Sequence, residues 1–172
     1  NYRRGRSAIM VLEADEYRNH FLTLTPSVAV ITSVDHDHVD AFPTLESYQT
    51  AFERFVQRVK SKGTVVFAVQ DAATVRLRPR VRDDCTTLTY AVSEQGDVAE
   101  VVATPPVVQG SVQISRFTVR GSDWGTFKLR MAGEHVVRNA AAAVAATLSF
   151  DVNPDAVRRT LESFHGTWRR FE

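Results

Sequence analysis

"SVAVITSVDHDHVDAF" (residues 27–42) decides how this chain folds. Its first half is a short run rich in Val and Ile, the mark of a strand buried on both faces. Its second half crowds Asp35, His36, Asp37, His38 and Asp40 together with no glycine between them. A buried strand that exits into charge suits an open α/β sheet, where ligands bind in the crevice outside the carboxyl ends of the strands.

The flanking sequence extends that reading. Upstream, "SAIMVLEAD" (Ser7–Asp15) is a second apolar run ending in acid, and Glu13, Asp15 and Glu16 cluster at its exit. Downstream, Leu45, Tyr48, Phe52, Phe55, Val56 and Val59 recur at helical spacing, with Pro43 and Thr44 suiting the entry, so a helix is expected to cover the sheet. Gly63 then reads as a helix stop before a third strand, "TVVFAV" (64–69). From Thr86 the stretches "TTLTYAV", "VAEVVAT", "SVQISRFTVR" and "GTFKLRMAG" leave no room for helices and predict antiparallel β-structure. Helices return in "NAAAAVAATLSF" and "NPDAVRRTLESF", where Asn153 can cap and Pro154 can take the first helical position. The expected fold is α/β, a mostly parallel doubly wound sheet with an antiparallel β-rich portion.

Composition narrows the function. The 172 residues are 44% hydrophobic with a net charge of +1, enough for one sizeable core and without the basic stripe that nucleic-acid binding requires. No nucleic acid partner is expected. Cys85 stands alone, so an internal disulfide and a CxxC metal pair are both excluded, which favours a cytoplasmic setting. No apolar run reaches the length of a membrane span, and no membrane partner is expected. The chain opens at Asn1 without a methionine and is expected to be part of something larger.

Carboxylates beside imidazoles at two strand exits suit a divalent cation, and magnesium in particular, because it keeps part of its shell for water and phosphate oxygens. Loop aspartates also serve turns, and Asp35 or Asp40 could do so here.

Four motifs in order, "EADE", "DHVD", "GEHVVRNAAAAVAA" and "GTWRRFE", make the chain resemble the central, ATP-binding domain of the Mur ligases from about Ser7 to Glu172. The resemblance implies ATP and Mg2+ as cofactors and ATP-dependent amide-bond formation between an acid and an amino acid, in peptidoglycan precursor synthesis. It leans toward the branch that adds L-alanine to UDP-N-acetylmuramate. Glu13 and His38 match the family's magnesium-binding, catalytic residues. His135 and Asn139 match the adenine motif, and Arg170 matches an arginine directed at the nucleotide phosphates, with Arg169 beside it. Each has a plainer alternative: a paired strand-end acid for Glu13, a hydrogen-bonded histidine for His38, a helix cap for Asn139, a solvated face for the arginines. The alanine run suits close helix packing.

There are departures. Val136 stands where the family's adenine motif commonly has asparagine, and Phe52 falls about where several sister ligases carry a carbamylated, metal-binding lysine; a phenylalanine there resembles the alanine-adding branch. No GxxxxGK phosphate loop occurs in these residues. Residues 1–172 are therefore expected to be a central-domain fragment, with the phosphate loop, the UDP-sugar domain and the C-terminal domain that complete such an enzyme lying outside it. Alone it is expected to lack ligase activity. The murein tripeptide recycling ligase and a non-catalytic nucleotide-binding module remain alternatives.

Overall fold

The structure, a computed structural model, describes residues 5–94 and 98–166. A 3-10 helical segment at Tyr17–Thr23 leads into β1 (Val28–Ile31), α1 (Leu45–Gln57), β2 (Thr64–Ala68), α2 (Ala72–Leu77) and β3 (Thr86–Val92). Four further strands follow, β4 (Val101–Ala103), β5 (Val107–Gln109), β6 (Val112–Val119) and β7 (Ser122–Leu129), and then α3 (Glu134–Thr147) and α4 (Pro154–Ser163).

β1 to β4 run parallel in sequence order, with Val28 opposite Thr64, Thr64 opposite Thr86, and Tyr90 opposite Val101. β6 closes antiparallel on β4 and pairs along its other edge with β7. β5 lies against the opposite end of β6 from β4, pairing Val107 with Ile114. Pro105 and Pro106 separate β4 from β5, because neither can donate to the ladder.

Alternation along each strand divides the core into two layers. Val66, Ala68, Leu88 and Tyr90 pack with Val137, Ala141, Val144 and Ala145 of α3, so the alanine run does bring helix and sheet together closely. Ala29, Ile31, Val65 and Phe67 pack on the other face with Tyr48, Phe52, Phe55 and Val56 of α1. Every residue of β2 is buried, as a central strand covered on both faces requires. The doubly wound α/β expectation is met.

Three expectations need correction. Ser7–Asp15 is an extended segment rather than a strand, with Met10 79% and Val11 93% exposed. An apolar run becomes a strand only where a neighbouring strand takes its N–H and C=O groups in a ladder, and among the described residues no strand pairs with this segment. Thr86–Val92 is parallel to β2, not part of the antiparallel portion, because α2, capped by Asp71 accepting from the Thr74 N–H, supplies a crossover. Gly63 is no left-handed helix stop: Lys62 takes the positive φ of 59°, and a Cβ on Gly63 would lie 2.7 Å from the Ser27 carbonyl oxygen. Glycine is needed there for close approach. The entries of α1 and α4 are as expected, with Thr44 capping the Ser47 N–H and Asn153 capping those of Asp155 and Ala156.

Candidate functional site

β1 delivers the acidic stretch to the carboxyl edge of the sheet, and Val34, 3% exposed, is its last anchor in the core. Beyond it lies a cavity of about 410 Å³ bounded by Glu16, Asp35, His36, Asp37 and Tyr48, with Phe52 and Phe55 contributing an apolar wall. Phe52, 8% exposed, packs edge-on to Phe21 at 5.2 Å and near Tyr48 at 5.0 Å.

His38 is held at several points. Its φ of 54° lies in the left-handed region that β-carbon-bearing residues rarely visit. The Asp37 carboxylate accepts its backbone N–H at 2.6 Å, and its carbonyl accepts from the N–H groups of Ala41 and Phe42, both at 2.8 Å. The Tyr17 ring lies 5.1 Å from the imidazole, and the Tyr17 hydroxyl donates to Asp40 at 2.9 Å. Strain that the surroundings hold in place is a recurrent feature of working sites.

The carboxylate brought to His38 is that of Glu16, whose Oε1 lies 3.5 Å from Nε2 and accepts from the Tyr48 hydroxyl at 3.2 Å. Glu13 sits three residues earlier, exposed on the extended segment. Asp15 accepts from the Tyr17 N–H at 3.0 Å and pairs with His20 Nδ1 at 3.2 Å; the His20 contact first, and the Tyr17 bond second, hold its carboxyl below the ordinary aspartate value. Burial pushes the Tyr48 phenol well above its ordinary value, helped by Glu16, Asp37 and Asp35. His36 Nε2 meets the Phe42 carbonyl at 2.8 Å, and since a carbonyl only accepts, that nitrogen carries a proton. Sequence reading did not single out Glu16, Tyr48 or Tyr17 as partners of His38. Only the helical phase of Tyr48 hinted that it faces inward.

Among the described residues no group of three or more His, Cys, Asp or Glu side chains converges into an all-protein metal cage. A magnesium site needs no such cage, since that ion takes one or two protein carboxylates and completes its octahedron with water and phosphate oxygens.

The other predicted residues lie on α3. His135 is in its first turn, exposed, with its ring folded over Gly133, where a Cβ would come within 2.6 Å of the imidazole and φ is +108°. Gln113, 2% exposed, pins Gly133 by donating to its carbonyl and accepting from its N–H, both at 3.0 Å. Val136, 8% exposed, is a core residue, so its departure from asparagine fills apolar space. Asn139 lies within α3 rather than capping it, the cap being Gly133. Its side chain helps line a cleft of about 270 Å³ with Leu129, Met131, Ala143, Leu161 and Phe164, a largely apolar slot with one amide at its wall. Arg169 and Arg170 lie outside the described residues.

With this geometry in hand, likeness to known proteins becomes informative. Residues 1–147 match the Mur ligase middle domain. The chain is 38% identical over 173 residues to the UDP-N-acetylmuramate--L-alanine ligase of Solibacter usitatus, covering 100% of this chain and 35% of that protein. Among solved structures it resembles the UDP-N-acetylmuramate-alanine ligase MurC of Thermotoga maritima, with a TM-score of 0.68 and 26% identity over 89% of this chain and 32% of that one. The fold is also that of the UDP-N-acetylmuramate:L-alanyl-gamma-D-glutamyl-meso-diaminopimelate ligase of Neisseria meningitides, at a TM-score of 0.75 and 24% identity over 91% of this chain and 48% of that one. The chain spans about a third of the length of the curated relatives it matches. No helix among the described residues is long and apolar enough to cross a membrane. Together, the matched residues and the fold place the chain in the Mur ligase family, of which it carries the middle domain.

Proposed function

We propose that this chain is the ATP-binding centre of a cytoplasmic ligase that joins L-alanine to UDP-N-acetylmuramate, an early step of peptidoglycan precursor synthesis. The observation that carries the reading is the strained, many-sided hold on His38 beside an acidic cavity at the carboxyl end of a parallel strand. Phe52 in the wall of that cavity supports the alanine-adding branch, since the position offers no lysine to carbamylate. The domains that bind the UDP-sugar and the amino acid, and the phosphate loop, belong to the rest of the protein.

In this reading the muramoyl carboxylate takes the γ-phosphoryl group of ATP to give an acyl phosphate, and the amine of L-alanine displaces phosphate. Glu13 and His38 would each hold a magnesium ion, which would offset the negative charge that phosphoryl transfer spreads over oxygens. Asn139 offers its amide to the adenine edge while the apolar cleft beside it accepts the ring face. His135 and Arg170 complete the nucleotide contacts. Phe52 and Phe55 keep one side of the reacting region dry, which strengthens every electrostatic contact within it.

The test is phosphate release by the full-length protein with ATP, magnesium and UDP-N-acetylmuramate. L-Alanine is expected to support turnover and the tripeptide L-alanyl-γ-D-glutamyl-meso-diaminopimelate is not. Turnover with the tripeptide alone makes it a recycling ligase; nucleotide binding without turnover makes it a non-catalytic module. Glu13→Ala and His38→Ala are each expected to lower turnover by roughly 100-fold while leaving the unfolding temperature nearly unchanged, with His38→Ala partly rescued by high magnesium.

A further inference from the structure

The reaction reading leaves Glu16 without a role, yet Glu16 is the carboxylate that faces the His38 ring. Its Oε1 accepts from the Tyr48 hydroxyl at 3.2 Å and lies 3.5 Å from His38 Nε2, and one carboxylate oxygen has lone pairs for both. Tyr48 is 4% exposed and anchored between Phe42 and Phe52, so its hydroxyl cannot swing away. Its raised pKa keeps it a donor throughout the working pH range.

We propose that Glu16 is the positioning residue of His38: the Tyr48 hydroxyl fixes its carboxylate, and the carboxylate takes the Nε2–H of His38, leaving Nδ1 as the lone-pair nitrogen for a divalent cation. A carboxylate only accepts, so the ring nitrogen facing it bears the proton. Imidazoles that bind metals commonly donate their second N–H in this way, which fixes both tautomer and ring plane. The rest of His38 is held independently: Asp37 and the turn to Ala41 and Phe42 set its backbone, and the Tyr17 ring closes one face. What remains adjustable is the ring itself, and Glu16 controls it. The inference rests on the proposed cation role of His38.

The experiment uses the full-length protein labelled with nitrogen-15, at a pH about two units above the ordinary imidazole value. Long-range proton–nitrogen correlation reads the His38 tautomer, and electron paramagnetic resonance reads Mn2+ binding. His38 is expected as the Nε2–H tautomer. Glu16→Gln keeps an acceptor oxygen and preserves it, whereas Glu16→Leu releases the ring to a tautomer mixture and weakens Mn2+ binding roughly tenfold. Tyr48→Phe, which removes one hydroxyl and touches no cation, is expected to move both readouts in the same direction by a smaller factor. A His38 tautomer unchanged in Glu16→Leu overturns the proposal. So does a silent Tyr48→Phe, because the Tyr48 hydroxyl would then not be what fixes the Glu16 carboxylate. If His38→Ala leaves Mn2+ affinity unchanged while the tautomer still depends on Glu16, the cation role of the histidine fails and the positioning contact survives.

Discussion

The acidic cavity at the end of β1 and the apolar cleft between α3 and α4 are built by opposite means. The first is held by polar side-chain contacts between a loop and the helical segments beside it: Asp37 on a backbone N–H, Tyr17 on Asp40, Tyr48 on Glu16, with His38 at a positive φ among them. The second is held by packing. Phe117 and Phe127 stack at 4.3 Å beneath α4, Arg158 lies over the Phe127 ring at 5.3 Å and donates to the Trp124 carbonyl, and the buried Gln113 fixes the start of α3. The cavity rests on polar contacts between side chains, whereas the cleft rests on the apolar core beneath it. One region is therefore expected to be sensitive in function and tolerant in stability, the other the reverse.

The largest effect that would break this contrast concerns Phe127, which is fully buried. Phe127→Ala should cost about 3–5 kcal/mol in denaturant unfolding, since it leaves a cavity under α4 and strips the Arg158 guanidinium of its ring. A cost below that of any cavity-side substitution would show that packing does not dominate this half. Next comes His38→Gly. Glycine relieves the left-handed strain but adds backbone freedom to the unfolded chain, so the two terms oppose and stability should move by less than about 1 kcal/mol. A large loss would mean that the loop around His38 supports the fold.

The smallest effect lies at the junction of the halves. Burial of Glu100 would raise its carboxyl, but hydrogen bonds from the Thr89 hydroxyl and N–H, each 2.6 Å, outweigh it and hold the group below its ordinary value of 4.5. A carboxyl whose folded pKa is depressed contributes stability that is present above 4.5 and fades as pH falls through the folded value. Glu100→Gln should therefore flatten the acid limb of the stability curve below that pH and leave its slope above it unchanged. An unaltered acid limb would remove Glu100 from the account.

Periodic burial was legible in advance because it is local. Tyr48, Phe52, Phe55 and Val56 announce α1, and the alanines of α3 announce close packing. Ser7–Asp15 misleads because apolar content reports a preference for burial and says nothing of whether a ladder partner exists. α2 is only six residues long and escapes a pattern that needs several turns, and β5 is exposed at all three positions. At the candidate site, residue types and strand exits could be read from the chain. The partnership of Glu16 with His38 and Tyr48 could not, since those contacts join segments 22 and 32 positions apart. Gln113 likewise reaches Gly133 across 20 positions, and nothing around "SVQIS" signals it.

The proline pair between β4 and β5 has a consequence for association between molecules. Without it, residues 101–109 could continue as one strand along β6, and beyond β4 that strand would present a long outer edge carrying the exposed valines 107 and 108. Such edges recruit strands from other chains. Pro105 and Pro106 remove two donors and shorten the free edge on this side of β6 to the three residues of β5, too few to template intermolecular β-pairing there.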